Sequence, residues 1–351
     1  MTLPSTGTLL HKLGWDDGWE ASFADHRAAG LVPARVAIQH RGAYDLIADA
    51  GELRASATTR LYKSDELPAV GDWVGFDPAS NLVEAVLDRR THISRKEVWQ
   101  AAREQVLAAN IDVAFLVQAL PLDFNVRRLE RYLAMAWESG AQPIVLLTKT
   151  DLVDDIAPYL DEVEAVTLGS CPVQGVSAKT GAGLDELRPW LEPNKTAVLL
   201  GSSGVGKSTI VNALVGEEVL ATNEVRADDH AGRHTTSHRE LILLDAGGVI
   251  LDTPGIRELQ LWDADLEQTF GDVEEIAGNC RFSDCNHDQE PGCAIRAALA
   301  DGSLSEERWQ SYVKLQRELL AIEARRNHLL RHERVREYKI RARQNRPKKQ
   351  R

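Results

Sequence analysis

The sequence predicts a multidomain chain of three parts. A small N-terminal β-barrel comes first, then a central α/β domain with a mostly parallel sheet, then a mostly α-helical module around a metal site. Three observations predict this. From Pro33 to Ile93 short alternating stretches are separated by turn residues. Apolar strands and amphipathic helices then alternate around Gly201-Ser202-Ser203-Gly204-Val205-Gly206-Lys207-Ser208. Finally, Cys280, Cys285, His287 and Cys293 crowd into fourteen residues.

Composition narrows the class of protein. A chain of 351 residues has room for two or three domains with proper cores. It carries no run of eighteen apolar residues and no opening signal segment, so the expectation is a cytoplasmic protein with no membrane partner. Four cysteines are too few for a disulfide scaffold. The net charge of −12 conceals an asymmetry: Arg331–Arg351 carries ten Lys or Arg against Glu333 and Glu337, so this tail is +8 and the rest −20. An acidic body repels bulk polyanion, while a cationic arm can lie on a phosphate backbone.

Taken in order, residues 1–32 read as an extension, in which one of Asp16 and Asp17 can cap a short helix whose aromatics, from Trp15, Trp19 and Phe23, pack on a neighbour. Residues 33–93 form the barrel, of the oligonucleotide- and oligosaccharide-binding (OB) type, with strands at Ala34–Gln39, Ala43–Ala48, Gly51–Ala57, Val70–Phe76 and Leu82–Leu87. Arg35, Arg41, Arg54, Arg60 and Lys63 are its candidate RNA contacts. Arg89–Lys96 reads as a basic linker. Residues 94–270 form the α/β domain, with strands at Ile111–Leu116, Pro143–Leu147 and Val173–Val176 and helices at Arg127–Glu138 and Leu184–Leu191. Glu240–Leu244 and Val249–Leu251 read as a hairpin. Residues 271–330 hold the metal module, where Tyr312, Leu315, Leu319 and Ile322 recur at helical spacing, and 331–351 is the basic tail.

The glycine-rich stretch sits between the apolar run Ala197–Leu200 and the helical pattern from Thr209 onward, the context a phosphate-binding P-loop requires. Backbone N–H groups at a helix start favour a polyphosphate. Lys207 is placed to reach the β- and γ-phosphates, and Ser208 to hold Mg²⁺. Base identity is read elsewhere. In Thr148-Lys149-Thr150-Asp151 the Asp151 carboxylate can accept from guanine N1 and N2 together, a donor pair adenine lacks. Lys149 lays its stem along the base. Ser177-Ala178-Lys179 ends the next strand, and the Ala178 N–H can donate to guanine O6. In Asp252-Thr253-Pro254-Gly255, Asp252 acts on Mg²⁺ through water and the Gly255 N–H meets the γ-phosphate. Thr148 stands where Asn is commonest. A threonine lacks the amide that ties base to P-loop, so a weaker nucleotide grip is expected.

The base-reading motifs precede the P-loop, whereas ordinary small GTPases run the other way. The order is that of a circular permutation. In these motifs, the barrel and the cysteine cluster, nearly the whole chain resembles the circularly permuted ribosome small-subunit-dependent GTPase A family. The resemblance implies an OB-fold domain, a permuted GTPase domain and a zinc-binding domain, with GTP hydrolysis stimulated by the small ribosomal subunit during its late maturation. The implied partners are that subunit with its rRNA and GTP or GDP, and a monomer is expected. Gly232-Arg233-His234-Thr235-Thr236 looks like the family's switch, which makes Thr235 the candidate Mg²⁺-contacting threonine, with Thr236 the alternative. Ile256 occupies the place of the usual water-orienting glutamine, and His234 is the candidate to position the water. An alternative reading is a GTP-toggled RNA-binding checkpoint module with incidental hydrolysis.

Cys280-x₄-Cys285-x-His287-x₅-Cys293 supplies three thiolates and an imidazole, enough to close a tetrahedral shell around one structural Zn²⁺. Cys171 stands apart as a plain core or surface residue.

Overall fold

The computed structural model describes residues 8–64, 66–96, 104–220, 240–245, 247–252 and 266–320. Backbone contacts divide them into two compact units. One holds the barrel and the large sheet; the other holds the C-terminal helices with parts of two short strands.

Two helices open the chain, α1 (Leu9–Lys12) and α2 (Asp17–Ala28). Of the two aspartates the sequence offers, Asp16 caps α2, its Oδ1 accepting the Trp19 N–H at 2.8 Å. Trp19 and Phe23 are buried.

The barrel follows as β1 (Val32–Gln39), β2 (Tyr44–Ala48), β3 (Gly51–Ala57), α3 (Thr59–Ser64), β4 (Trp73–Asp77) and β5 (Leu82–Val86). The strand order is β1-β2-β3-β5-β4, and β4 returns to pair with β1, which closes the sheet. β1 serves both neighbours: Val32–Arg35 face β4, while Arg35–Gln39 face β2. A register shift between Val36 and Ile38 bends the strand between these roles. Inward residues Val36, Leu46, Val74, Phe76 and Val83 fill the interior. Arg41, Arg54, Arg60 and Lys63 lie exposed on the outside. Arg35 does not: it is 1% exposed, which removes it from the RNA-contact set expected for it.

Residues 89–96 depart from the linker reading, because β6 (His92–Lys96) pairs with β7 (Glu104–Ala109) as a two-stranded sheet. Then come β8 (Val113–Ala119), α4 (Val126–Ser139), β9 (Gln142–Thr148), α5 (Ala157–Thr167), β10 (Val173–Val176), β11 (Thr196–Leu200), α6 (Lys207–Val215), β12 (Glu240–Leu243) and β13 (Val249–Asp252). Leu184–Leu191 is a 3₁₀ helix over Asp185–Trp190 rather than an α-helix. Pro189 inside it has no N–H to donate.

The sheet runs β10-β9-β8-β11-β13-β12, parallel throughout except β12. β8 and β11 are buried along their whole length, as a sheet covered on both faces requires. Asn125 caps the N-terminus of α4 and Gly140, at φ 79°, its C-terminus. A single register pair, Ile38 with Glu240, joins β1 to β12, so barrel and α/β sheet form one hydrogen-bonded surface. Gly71 permits the second junction: a Cβ there would lie 2.2 Å from the Ala109 carbonyl.

In the C-terminal unit α7 (Glu267–Gly278) and α8 (Ala294–Asp301) flank the cysteine loop, and residues 306–320 form a helix, α9. Phe270, Val273, Ile295, Tyr312 and Leu315 make its core. Arg308 locks α9 to α7 through Asp272 at 2.8 Å and the Thr269 carbonyl at 2.7 Å. Among the described residues no helix is long and apolar enough to cross a membrane.

Candidate functional site

Parallel register brings the chemistry to one edge. Thr148 pairs with Ala119 and with Val176, Leu200 with Leu116, and Val198 with Leu251. The C-terminal ends of β9, β10, β11 and β13 therefore lie at one edge of the sheet, where open α/β sheets bind their ligands.

After β11 the chain turns through Gly201–Gly206 into α6. Gly204 and Gly206 take φ of 78° and 101°, which L side chains rarely adopt. At Gly201 a Cβ would press to 2.7 Å on the Val117 carbonyl. Val205 is buried in the core and anchors the loop, while Ser203 and Gly204 are exposed and Ser202 and Ser208 half-buried. Thr209 lies exposed in the first turn of α6. The Lys207 ammonium donates to the carbonyls of Gly201 (2.7 Å) and Ser202 (2.6 Å), so it lies over the loop where phosphates would sit.

On the neighbouring strands, Lys149 adopts a left-handed φ of 58° and starts a 3₁₀ turn that carries Asp151. The buried Ser177 hydroxyl donates to Asp151 Oδ1 at 2.7 Å, and the exposed Lys179 ammonium lies 3.9 Å from Oδ2. The Ser177 hydrogen bond, opposed by desolvation and helped by Lys179 and Lys149, holds the Asp151 carboxyl below the usual range. Asp151 is thus an oriented, ionised acceptor. Gly183 lets the loop after Ala178 close, since a Cβ there would meet the Gly175 carbonyl at 2.1 Å.

Thr148 makes a tie of its own: its hydroxyl donates to the Val205 carbonyl at 2.6 Å and joins the end of β9 to the P-loop. Sequence reading also missed Tyr132, on the buried side of α4, which hydrogen-bonds to Ser202. Its spacing with Leu129 and Leu133 is that of an ordinary core face, so nothing in the pattern singles it out.

Asp252 ends β13, with burial pushing its carboxyl above the usual range, the Lys207 ammonium opposing and Glu240 reinforcing. Ser208 and Asp252 are hard oxygen donors of the kind Mg²⁺ takes alongside phosphate, and a cation beside Asp252 would favour its ionised form. Gly255, His234 and Thr235 lie outside the described residues.

A second cluster stands in the C-terminal unit. The ligand atoms of Cys280, Cys285, His287 and Cys293 lie within 4.8 Å of one another. His287 Nδ1 is 3.5 Å from the Cys280 sulfur and 3.6 Å from that of Cys293. An ion bound tetrahedrally by thiolate and imidazole holds S and N about 3.5 Å apart, so the residues fit Zn²⁺. Burial raises the Cys280 thiol, but the Ala294 and Ile295 N–H groups together with the Cys285 and Cys293 thiols outweigh it and leave it below its ordinary value. Burial, and then the neighbouring thiols, push Cys285 up to about 11. Trp309 of α9 meets the His287 ring edge-on at 5.5 Å. Cys171 belongs to the other unit, where it is buried and its thiol is pushed up to about 11 by burial.

A P-loop, two base-reading turns and a strand-end carboxylate, on a six-strand sheet entered in permuted order, define a circularly permuted P-loop GTPase. Residues 86–262 match the model of the RsgA GTPase family. A small ribosomal subunit biogenesis GTPase RsgA from Opitutus terrae is 47% identical over 88% of this chain and 89% of its own length. One from Streptomyces coelicolor is 44% identical over 96% and 94%. The crystal structure of YjeQ from Thermotoga maritima has a TM-score of 0.61 at 27% identity, over 82% of this chain and 98% of that one. The chain belongs to the RsgA GTPase family.

Proposed function

We propose that the protein binds the small ribosomal subunit and hydrolyses GTP during late maturation of that subunit, which stimulates the turnover. The observation that carries this reading is the convergence of Asp151, Ser177, Lys207 and Asp252 at one sheet edge, in a chain whose relatives are named for small-subunit biogenesis. Asp151 accepts from guanine N1 and N2, Lys149 lies along the base, and the Ala178 N–H donates to O6. The loop from Gly201 to Thr209 cradles the phosphates, with Lys207 moving from the loop carbonyls to the β- and γ-oxygens. Mg²⁺, held by Ser208, Thr235 and, through water, Asp252, would neutralise the charge that develops on the phosphates. The Gly255 N–H meets the γ-phosphate.

Ile256 cannot hydrogen-bond water, so His234 positions the attacking molecule when the subunit is bound. Zn²⁺ at Cys280, Cys285, His287 and Cys293 would be structural, because four protein ligands leave no open position. The protein acts in the cytoplasm as a monomer. Its rRNA contacts come from the exposed barrel residues Arg41, Arg54, Arg60 and Lys63 and from the basic tail.

The test is GTP turnover by the purified protein with and without small ribosomal subunits, with ATP and large subunits as controls. Stimulation by small subunits, with GTP alone as substrate, is the expected result. A rate that stays at its basal level refutes subunit activation. His234→Ala should abolish the stimulation and leave subunit binding intact; loss of neither would move the water-positioning role elsewhere.

A further inference from the structure

The loop that carries the metal ligands also holds an acid that is not one of them. Glu290 lies outside the four side chains whose ligand atoms converge, Cys280, Cys285, His287 and Cys293. Asp284 and Asp288 of the same loop are exposed, whereas Glu290 is half-buried. A charged side chain is drawn out of water only where other groups bind it.

Backbone N–H groups bind this one. Oε1 accepts the Asn286 N–H at 3.1 Å, and Oε2 accepts the N–H groups of Asp288 and Gln289, each at 3.0 Å. These donors stand on both sides of His287 in the chain, so one carboxylate grips the backbone before and after the imidazole ligand. Neighbouring N–H groups turned toward one point make a concavity for an anion, and here a residue of the same loop fills it. The N–H groups of Glu290 itself, Asn286 and Asp288 outweigh desolvation and hold the carboxyl down at about 2, so the acceptor is ionised.

The grip meets a local strain. His287 has a φ of 62°, a left-handed conformation that a side chain with a Cβ adopts only where its surroundings impose it. Core packing does not impose it, because none of residues 281–292 is buried. Other bonds close the neck of the loop: the Arg281 N–H donates to the Gly292 carbonyl at 3.1 Å, and the Ala294 N–H to the Cys280 sulfur at 3.3 Å. Neither bond holds the backbone beside His287. The three bonds to Glu290 do.

We propose that Glu290 is a positioning residue for the metal. It holds His287 in the left-handed turn from which Nδ1 meets the Cys280 and Cys293 sulfurs, and so lowers the ordering cost of binding the ion. The role rests on the loop being the structural Zn²⁺ site proposed above.

The test measures the Zn²⁺ affinity of the full-length protein by competition with a chromophoric chelator. Glu290→Ala should bind Zn²⁺ at least about tenfold more weakly than the wild type. Glu290→Gln should fall between them, because it keeps an oxygen for Asp288 and Gln289 but turns an amide N–H₂ toward the Asn286 N–H. Asp272→Asn weakens the Arg308 lock between α7 and α9 without touching the loop, and its affinity should stay near that of the wild type. With Co²⁺ at saturation in place of Zn²⁺, the visible absorption of Glu290→Ala should match the wild type, since the same three sulfurs and one nitrogen bind the ion. Undiminished affinity in Glu290→Ala, an equal loss in Asp272→Asn, or an altered Co²⁺ spectrum would overturn the positioning role. Should Glu290→Ala fail to fold, the isosteric Glu290→Gln carries the same measurement. A wild-type protein that binds no Zn²⁺ overturns the metal site and this role together, whereas tight wild-type binding that is indifferent to Glu290 overturns the role alone.

Discussion

The nucleotide edge and the Cys/His loop are both sites of a few polar groups, yet they are held in opposite ways. At the nucleotide edge the functional residues come from four stretches between Thr148 and Asp252, and a shared apolar core of β8, β9, β11 and α6 positions them. The Cys/His ligands come from one loop of fourteen residues, in which only Cys293 is buried. One site is a consequence of the fold. The other, with little core beneath it, needs its ligand to hold it together.

Removing the metal should produce the largest effect and the sharpest contrast. Structural Zn²⁺ in small modules contributes on the order of 10 kcal/mol of apparent folding energy. Chelation, or Cys280→Ser, should therefore open residues 266–320 to proteolysis while GDP affinity changes less than about twofold. Equal loss at both sites would break the comparison. Acidification should act in the same direction on the metal, because protons compete with it for the three thiolates and the imidazole.

A smaller effect probes the nucleotide edge. Thr148→Val leaves the Val205 carbonyl without its donor, at a cost of about 1–2 kcal/mol, or roughly 5–30-fold in GTP affinity. Thr148→Ser should restore most of it, and equal affinity in both variants would show that the tie does not hold the loop.

Smaller still is Ser177→Ala, at about 1 kcal/mol. Its distinguishing mark is a pH profile. The Asp151 pKa is lowered, so its ionised form, and with it GTP binding, persists as the pH falls below the ordinary carboxylate range. Without the Ser177 hydroxyl that acid limb should move to higher pH; an unmoved limb would assign the lowering to Lys179 or Lys149 instead.

The same contrast governs what was legible in the sequence. Contiguous motifs read directly: the Cys/His spacing, the P-loop and an aspartate cap needed only neighbouring residues. Alternation located the five barrel strands, and the succession of apolar strands and helices gave a mostly parallel sheet, though not its strand order. Contacts between distant segments did not read. Thr148 was judged by the amide it lacks, because its distance to Val205 exists only after β9 and β11 are placed with β8 between them. Arg35 looked like a surface cation because charge normally marks exposure, whereas here Trp73 and three carbonyls enclose it. His92–Lys96 was too polar to signal a strand, and its pairing with β7 lies beyond local pattern.

The central claim is that this edge reads guanine through the Asp151 carboxylate, and Asp151→Asn tests it most directly. Replacing one carboxylate oxygen by an amide donor removes an acceptor for guanine N1 and N2 and offers a donor to the 2-oxo group of xanthine. Measured by nucleotide titration, the variant should lose at least about 100-fold in GTP affinity and gain affinity for xanthosine triphosphate. GTP affinity that stays unchanged in the variant would contradict the account.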